Sequence, residues 1–223
     1  MSAFNLRRPV IGTLLAATGS PIIKILNFLK SVERRPAEEL LELQRQKLDQ
    51  VLRHSLLHVP YYRELFRERG LDAPAGLTSD SLKALPALTK EIIRARWNDL
   101  QSTDPERAKR KPYRNTSGGS TGQPVEFIQD QHYLAWNIAT KLYLKSWAGQ
   151  EIGEPEVRLW GAERDILQKH DKPGLRLKNW LYNRTDLNAL RMGEEQLRLY
   201  SETINQLKPG WIEAYVQSIY ELA

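Results

Sequence analysis

Seven consecutive residues, Thr116-Ser117-Gly118-Gly119-Ser120-Thr121-Gly122, hold three glycines and four hydroxyl side chains. Glycine lets a backbone turn its N–H groups inward without interference from a Cβ. Successive inward N–H groups form a concavity that binds anions, and serine and threonine add O–H donors. A triphosphate is the guest such a surface fits. The competing reading is a Ser/Gly-rich surface linker. It ranks second because the stretch is short, ordered segments bracket it and basic residues precede it.

Two named phosphate loops are excluded. The GxxxxGK[ST] pattern needs a lysine after its last glycine, where Gln123 stands, and the GxGxxG spacing is absent. Pro124 blocks a helix directly after the loop, and Val125-Glu126-Phe127-Ile128 reads as a strand. The loop is therefore expected to join two extended segments.

Other residues offer less. His54 and His58 lie four apart on one helical face, the spacing of a two-histidine metal pair. No acidic residue stands in register and no third ligand is evident, so a packed or half-exposed pair is expected and no metal site is assigned. Arg107, Lys109, Arg110, Lys111 and Arg114 form a basic run before the loop. It reads as a solvated segment or as an attractor of nucleotide phosphates, weakened by screening where exposed. Gly161, Ala162 and Glu163 follow a strand, Glu156–Trp160, and strand C-termini in open α/β sheets are where ligands sit.

The elements that position these residues are helical first. Residues 1–30 pair a basic start, Arg7-Arg8, with two apolar runs interrupted by Gly19, Pro21 and Lys24. No run reaches the roughly 20 residues needed to cross a bilayer. One or two amphipathic helices packed on the body are expected, with peripheral membrane contact through residues 9–30 as the alternative. Apolar residues at a 3.6 period make 33–70 helical, with Pro60 at a helix start and Gly70 as C-cap. Ser79 or Asp80 caps a short helix ending near Ala84, and Thr89 caps one from Lys90 to about Leu100. A helix over 131–148 and another over 193–207 follow. Trp211–Val216 is a strand, and Ser218 caps a last helix. That helix has barely more than one turn, marginal alone, which suggests a truncated sequence.

Composition sets the bounds. The chain has 223 residues, 41% hydrophobic, enough for one large domain or two small ones. With no cysteine there is no disulfide, zinc–thiolate site or cysteine nucleophile, and a cytoplasmic location is expected. The net charge of +6 is scattered and no base-reading motif stands out, so nucleic acid is not expected as a partner.

Thr116-Ser117-Gly118-Gly119-Ser120-Thr121-Gly122-Gln123-Pro124 resembles the phosphate-loop signature of the adenylate-forming (acyl-CoA synthetase-like) superfamily. Val59-Pro60-Tyr61-Tyr62-Arg63 and Leu85-Pro86-Ala87-Leu88-Thr89-Lys90 resemble, in order and spacing, a motif pair preceding that loop in one branch. The branch holds phenylacetate–CoA ligases and the capsule-biosynthesis CapK-like proteins. The resemblance implies a helical N-terminal region, 1–100, then part of a layered α/β mixed-sheet domain, 101–223. It implies ATP and Mg²⁺, a carboxylic-acid substrate joined to AMP, and transfer to a thiol, usually of CoA. Thr116, Ser117, Gly118, Gly119, Ser120, Thr121, Gly122 and Gln123 would hold the nucleotide, and Trp136 or Tyr143 would line an acyl pocket. Val125 replaces the lysine many members carry after the loop's proline. The downstream motifs and the catalytic lysine lie beyond Ala223, so no catalytic residue is assigned and the chain is expected to be inactive alone. A non-catalytic remnant or scaffold in polysaccharide assembly is the competing reading.

Overall fold

A computed structural model describes residues 6–71, 77–117, 124–161, 173–190 and 192–223, the side chains of 108 and 173–175 apart. The chain is α/β, mostly helical, and divides into two compact units. Asn27–Ile138 form one; Met1–Leu26 and Ala139–Ala223 form the other. The second unit is thus discontinuous in sequence.

In the Asn27–Ile138 unit, α3 (Ala37–His58) ends where Val59 turns extended, and Pro60 opens α4 (Pro60–Glu68) at its first position. Proline suits that place because it lacks only an N–H that would find no helical partner. Leu52 and Leu56 of α3, Phe66 of α4 and Leu77 form the core, with Leu48, Tyr62, Leu71 and Leu85 against it. α4 stops as its sequence demands. Gly70 takes φ +66°, its N–H reaches Arg67 O at 3.0 Å, and Leu71 N–H reaches Phe66 O at 2.8 Å. This is the paired-bond C-terminal motif that satisfies the last carbonyls. No atom lies within 4 Å of an added Cβ at Gly70, so Gly70→Ala meets only the left-handed backbone penalty. It is expected to lower stability by about 1 kcal/mol, read as a lower urea midpoint at unchanged slope.

α5 (Ser79–Lys83) is capped by Thr78, not by Ser79 or Asp80; Ser81 Oγ accepts the Thr78 N–H in return. The cap sits one residue earlier because Thr78, and not Ser79, has extended backbone. Thr89 does cap α6, which runs only Lys90–Ala95 before turns replace it. Tyr61 N–H to Asp99 O (3.0 Å) and Thr103 N–H to His58 O (2.7 Å) tie the α3–α4 junction to the segment leading into the basic run. A 3₁₀ turn over Pro105–Arg110 follows, then β1 (Tyr113–Thr116) and β2 (Glu126–Gln129), an antiparallel pair.

The other unit holds α1 (Arg7–Ala17) and a three-stranded parallel sheet of order β4–β3–β5: β3 Glu156–Trp160, β4 Arg184–Asn188 and β5 Trp211–Ala214. α8 (Pro173–Leu181) connects β3 to β4, and α9 (Glu194–Leu207) connects β4 to β5. α2 (Ile22–Val32) and α7 (Gln131–Trp147) run across the division between units. Side chains alternate faces along a strand. Val157 and Leu159 are fully buried against Tyr200 of α9, whose hydroxyl bonds the N–H and carbonyl of Asn188. The alternate positions, Glu156 and Arg158, are charged. β4 was not expected from sequence, since Arg184-Thr185-Asp186-Leu187-Asn188 is mostly polar. β5 ends at Ala214, two residues early, because α10 (Val216–Leu222) begins there with Tyr215 as its N-cap. Ser218 is buried inside that helix and does not cap it.

Among the described residues no single helix is long and apolar enough to cross a membrane. α1 and α2 pass the test only together, across a 114° bend.

Candidate functional site

The Gly/Ser/Thr loop leaves and re-enters a hairpin, as expected. Thr116 pairs with Glu126 at the last rung of the β1–β2 ladder. One further step is closed by Ser117 itself. Its N–H donates to Val125 O at 2.9 Å, and its Oγ accepts from Val125 N–H at 3.0 Å. Val125 is buried, so both ends of the loop are pinned. Thr116 and Ser117 are half-buried at this base; Gly118, Gly119, Ser120, Thr121, Gly122 and Gln123 lie outside the described residues. Ser117 thus uses its hydroxyl oxygen as an acceptor to hold the base of the loop.

The basic run is not a bare linker. Arg110 pairs with Asp104 at 2.5 Å and Lys109 with Glu106 at 2.8 Å. Arg114 lies 3.5 Å from Glu126 and over the Trp97 ring at 5.6 Å. Arg107 donates to neutral acceptors, Ser102 O and Gln101 Oε1, at 3.2 and 3.0 Å. Exposed pairs of this kind hold little energy; their effect is to fix guanidinium groups at the approach to the hairpin.

A cavity of about 630 Å³ opens beside β2, within the range of small-molecule sites. Tyr62, Trp97, Phe127 and Tyr133 give it aromatic walls, and Arg107, Arg110 and Asp130 give it polar ones. Tyr133, rather than Trp136, is the α7 residue on this wall. Trp136 packs edge-on against Phe28, with the Lys47 ammonium 4.8 Å from its ring, while Tyr143 meets Trp147.

The two histidines are a packed pair, with ring centroids 4.9 Å apart. Burial, and then the neighbouring His58, push the His54 pKa down. His54 Nε2 bonds Ser102 Oγ at 3.1 Å, which also accepts from Asp104 N–H. Among the described residues no three His, Asp or Glu side chains converge on a metal position.

In the other unit, Gly161 ends β3 with φ +149°, a conformation that favours glycine; Ala162 and Glu163 lie outside the described residues. Trp160 at the end of β3 stacks on Tyr215 after β5, centroids 4.3 Å apart. The charged sheet face is a network that sequence reasoning missed. Lys145 of α7 pairs with Glu156 and, at 2.7 Å, with Glu213. Arg184 reaches Glu156 at 3.2 Å, and Arg158 lies between Asp186 (3.7 Å) and Glu213 (3.6 Å). Burial pushes the Glu213 carboxyl up, but the Lys145 hydrogen bond and the Lys145 and Arg158 charges outweigh it and hold the pKa down. The signal was present as charges two apart, Glu156-x-Arg158 and Arg184-x-Asp186, on what proved to be adjacent strands.

No family model matches the chain. It is 23% identical over 198 residues to Protein CapK of Staphylococcus aureus. The match covers 88% of this chain and 43% of that protein, so the chain spans less than half of its relative's length.

Proposed function

We propose, from the weak similarity to CapK and the pinned loop, that the chain is the N-terminal part of an AMP-forming carboxylate ligase. The enzyme would be of the adenylate-forming, phenylacetate–CoA ligase-like kind, cytoplasmic, and serve capsule polysaccharide synthesis. The supporting observation is the closure of the loop base. Ser117 and Val125 exchange two hydrogen bonds, so the two ends of the glycine-rich stretch are held together. ATP with Mg²⁺ supplies the phosphoanhydride spent in joining a carboxylate to AMP, before transfer to an acceptor such as CoA. The metal's ligands would be chiefly phosphate oxygens and water, which suits a chain with no cluster of three metal-binding side chains among its described residues. The residues Thr116–Gln123 would orient the phosphates and offer N–H and O–H donors to the charge that develops as pyrophosphate leaves, a preorganised electrostatic role.

Calorimetric titration with Mg²⁺·ATP tests this. Weak binding is expected, reduced at least about tenfold in a Gly119→Val/Thr121→Val variant, because the valines remove a donor and restrict the turn. Equal binding by the folded variant would remove the loop from the site. No binding by the folded native chain would favour the non-catalytic scaffold reading.

A further inference from the structure

Two exposed apolar faces in the discontinuous unit meet at one arginine. On α1, Ile11 is fully buried and anchors the helix, while Leu6, Val10 and Leu14 are 67, 50 and 46% exposed. These three are four residues apart, so they share one helical face. On α8, Leu177 and Trp180 are 64 and 66% exposed and three apart. Arg7 joins the faces. Its guanidinium lies 5.4 Å from the Trp180 ring centroid and donates to the Trp180 carbonyl.

The charge on these helices has one sign. α1 carries Arg7 and Arg8, and α8 carries Arg176 and Lys178; neither helix contains an Asp or Glu. The whole chain's formal charge is +6. Arg176 and Lys178 are exposed, and Arg8 forms a half-exposed pair with Glu151 at 2.6 Å.

We infer that the α1–α8 face docks on an anionic lipid surface. Apolar side chains flanked by cations, on helices that hold no carboxylate of their own, suit the headgroup boundary, where acyl chains receive the former and lipid phosphates the latter. A tryptophan where the two faces meet, with Arg7 over its ring, fits the same depth. A second copy fits less well: an isologous contact would set each basic face against itself. The 114° bend between α1 and α2 suits α1 lying in the plane of the interface.

Co-sedimentation of the full chain with phosphatidylglycerol vesicles and with phosphatidylcholine vesicles is the test. Binding to the first only, weakened by salt, is expected. Leu14→Glu/Trp180→Glu and, separately, Arg176→Glu/Lys178→Glu should each weaken it at least about tenfold, with unchanged circular dichroism. The native chain, but not Trp180→Phe, should gain a blue-shifted emission component on binding. No binding to phosphatidylglycerol, equal binding by both double variants, or equal binding to both lipids would overturn the inference. So would a dimer of the native chain, seen by light scattering, that Leu14→Glu/Trp180→Glu dissociates.

Discussion

Replacing Glu156 by alanine is expected to lower the stability of the sheet-bearing unit by about 3 kcal/mol. Glu156 is 6% exposed and takes both Lys145 and Arg184 as partners. Removing it leaves two cations facing an empty position, and breaking a buried pair from one side is the expensive way to break it. The value sits at the low end for such changes because both cations are 23% exposed and Lys145 keeps Glu213. Thermal or urea unfolding of Glu156→Ala checks this; a loss below about 1 kcal/mol would mean the pair behaves as a surface bridge. The acid dependence follows from Glu213. Its folded pKa lies below the ordinary value of 4.5, so its contribution is present above that value and is lost as pH falls through the depressed one. Native stability should therefore decline on acidification below pH 4.5, and decline less in Glu213→Gln.

Phe66→Ala is expected to cost about 3–5 kcal/mol. Phe66 has no exposed surface and touches a cluster drawn from α3, α4 and the segment around Leu77. The cavity left by the ring would be bounded by Leu52 and Leu56, on a helix that cannot collapse inward without breaking its own register. Phe66→Leu, which keeps most of the volume, should lose less than about 1.5 kcal/mol. If the two variants unfold at the same urea midpoint, packing at this position is not what holds the unit together.

Much of the framework was legible in the residues. Pro60, Thr89 and Gly70 mark helix ends by chemistry that acts locally, and each is where the structure ends or starts a helix. The hairpin around the glycine-rich loop was legible because Pro124 forbids a helix and Phe127 and Ile128 favour a strand. What was not legible depends on partners distant in sequence. Arg184-Thr185-Asp186-Leu187-Asn188 looks like loop until β3 brings Arg158 opposite Asp186; ionic pairing across strands then replaces the apolar alternation that signals a half-buried strand. Thr78 was passed over because its neighbours Ser79 and Asp80 are equally good caps, and only backbone angle separates them. The basic run seemed a solvated stretch because Asp104 lies six residues from its partner Arg110, and Glu106 meets Lys109 only once a 3₁₀ turn forms. At the candidate site, composition located the loop, but the pair of hydrogen bonds between Ser117 and Val125 has no sequence signature beyond a serine before glycines.

The discontinuous unit sets a schedule for synthesis. Residues 27–138 can close on themselves as soon as they emerge, whereas α1, which precedes them, belongs with residues 139–223, which follow them. At about 5–20 residues per second, residues 139–223 take roughly 4–17 s to appear. Throughout that interval α1, basic and apolar, lacks the larger part of its own unit. The order of emergence thus separates α1 in time from β3, β4 and β5, the strands of its own unit.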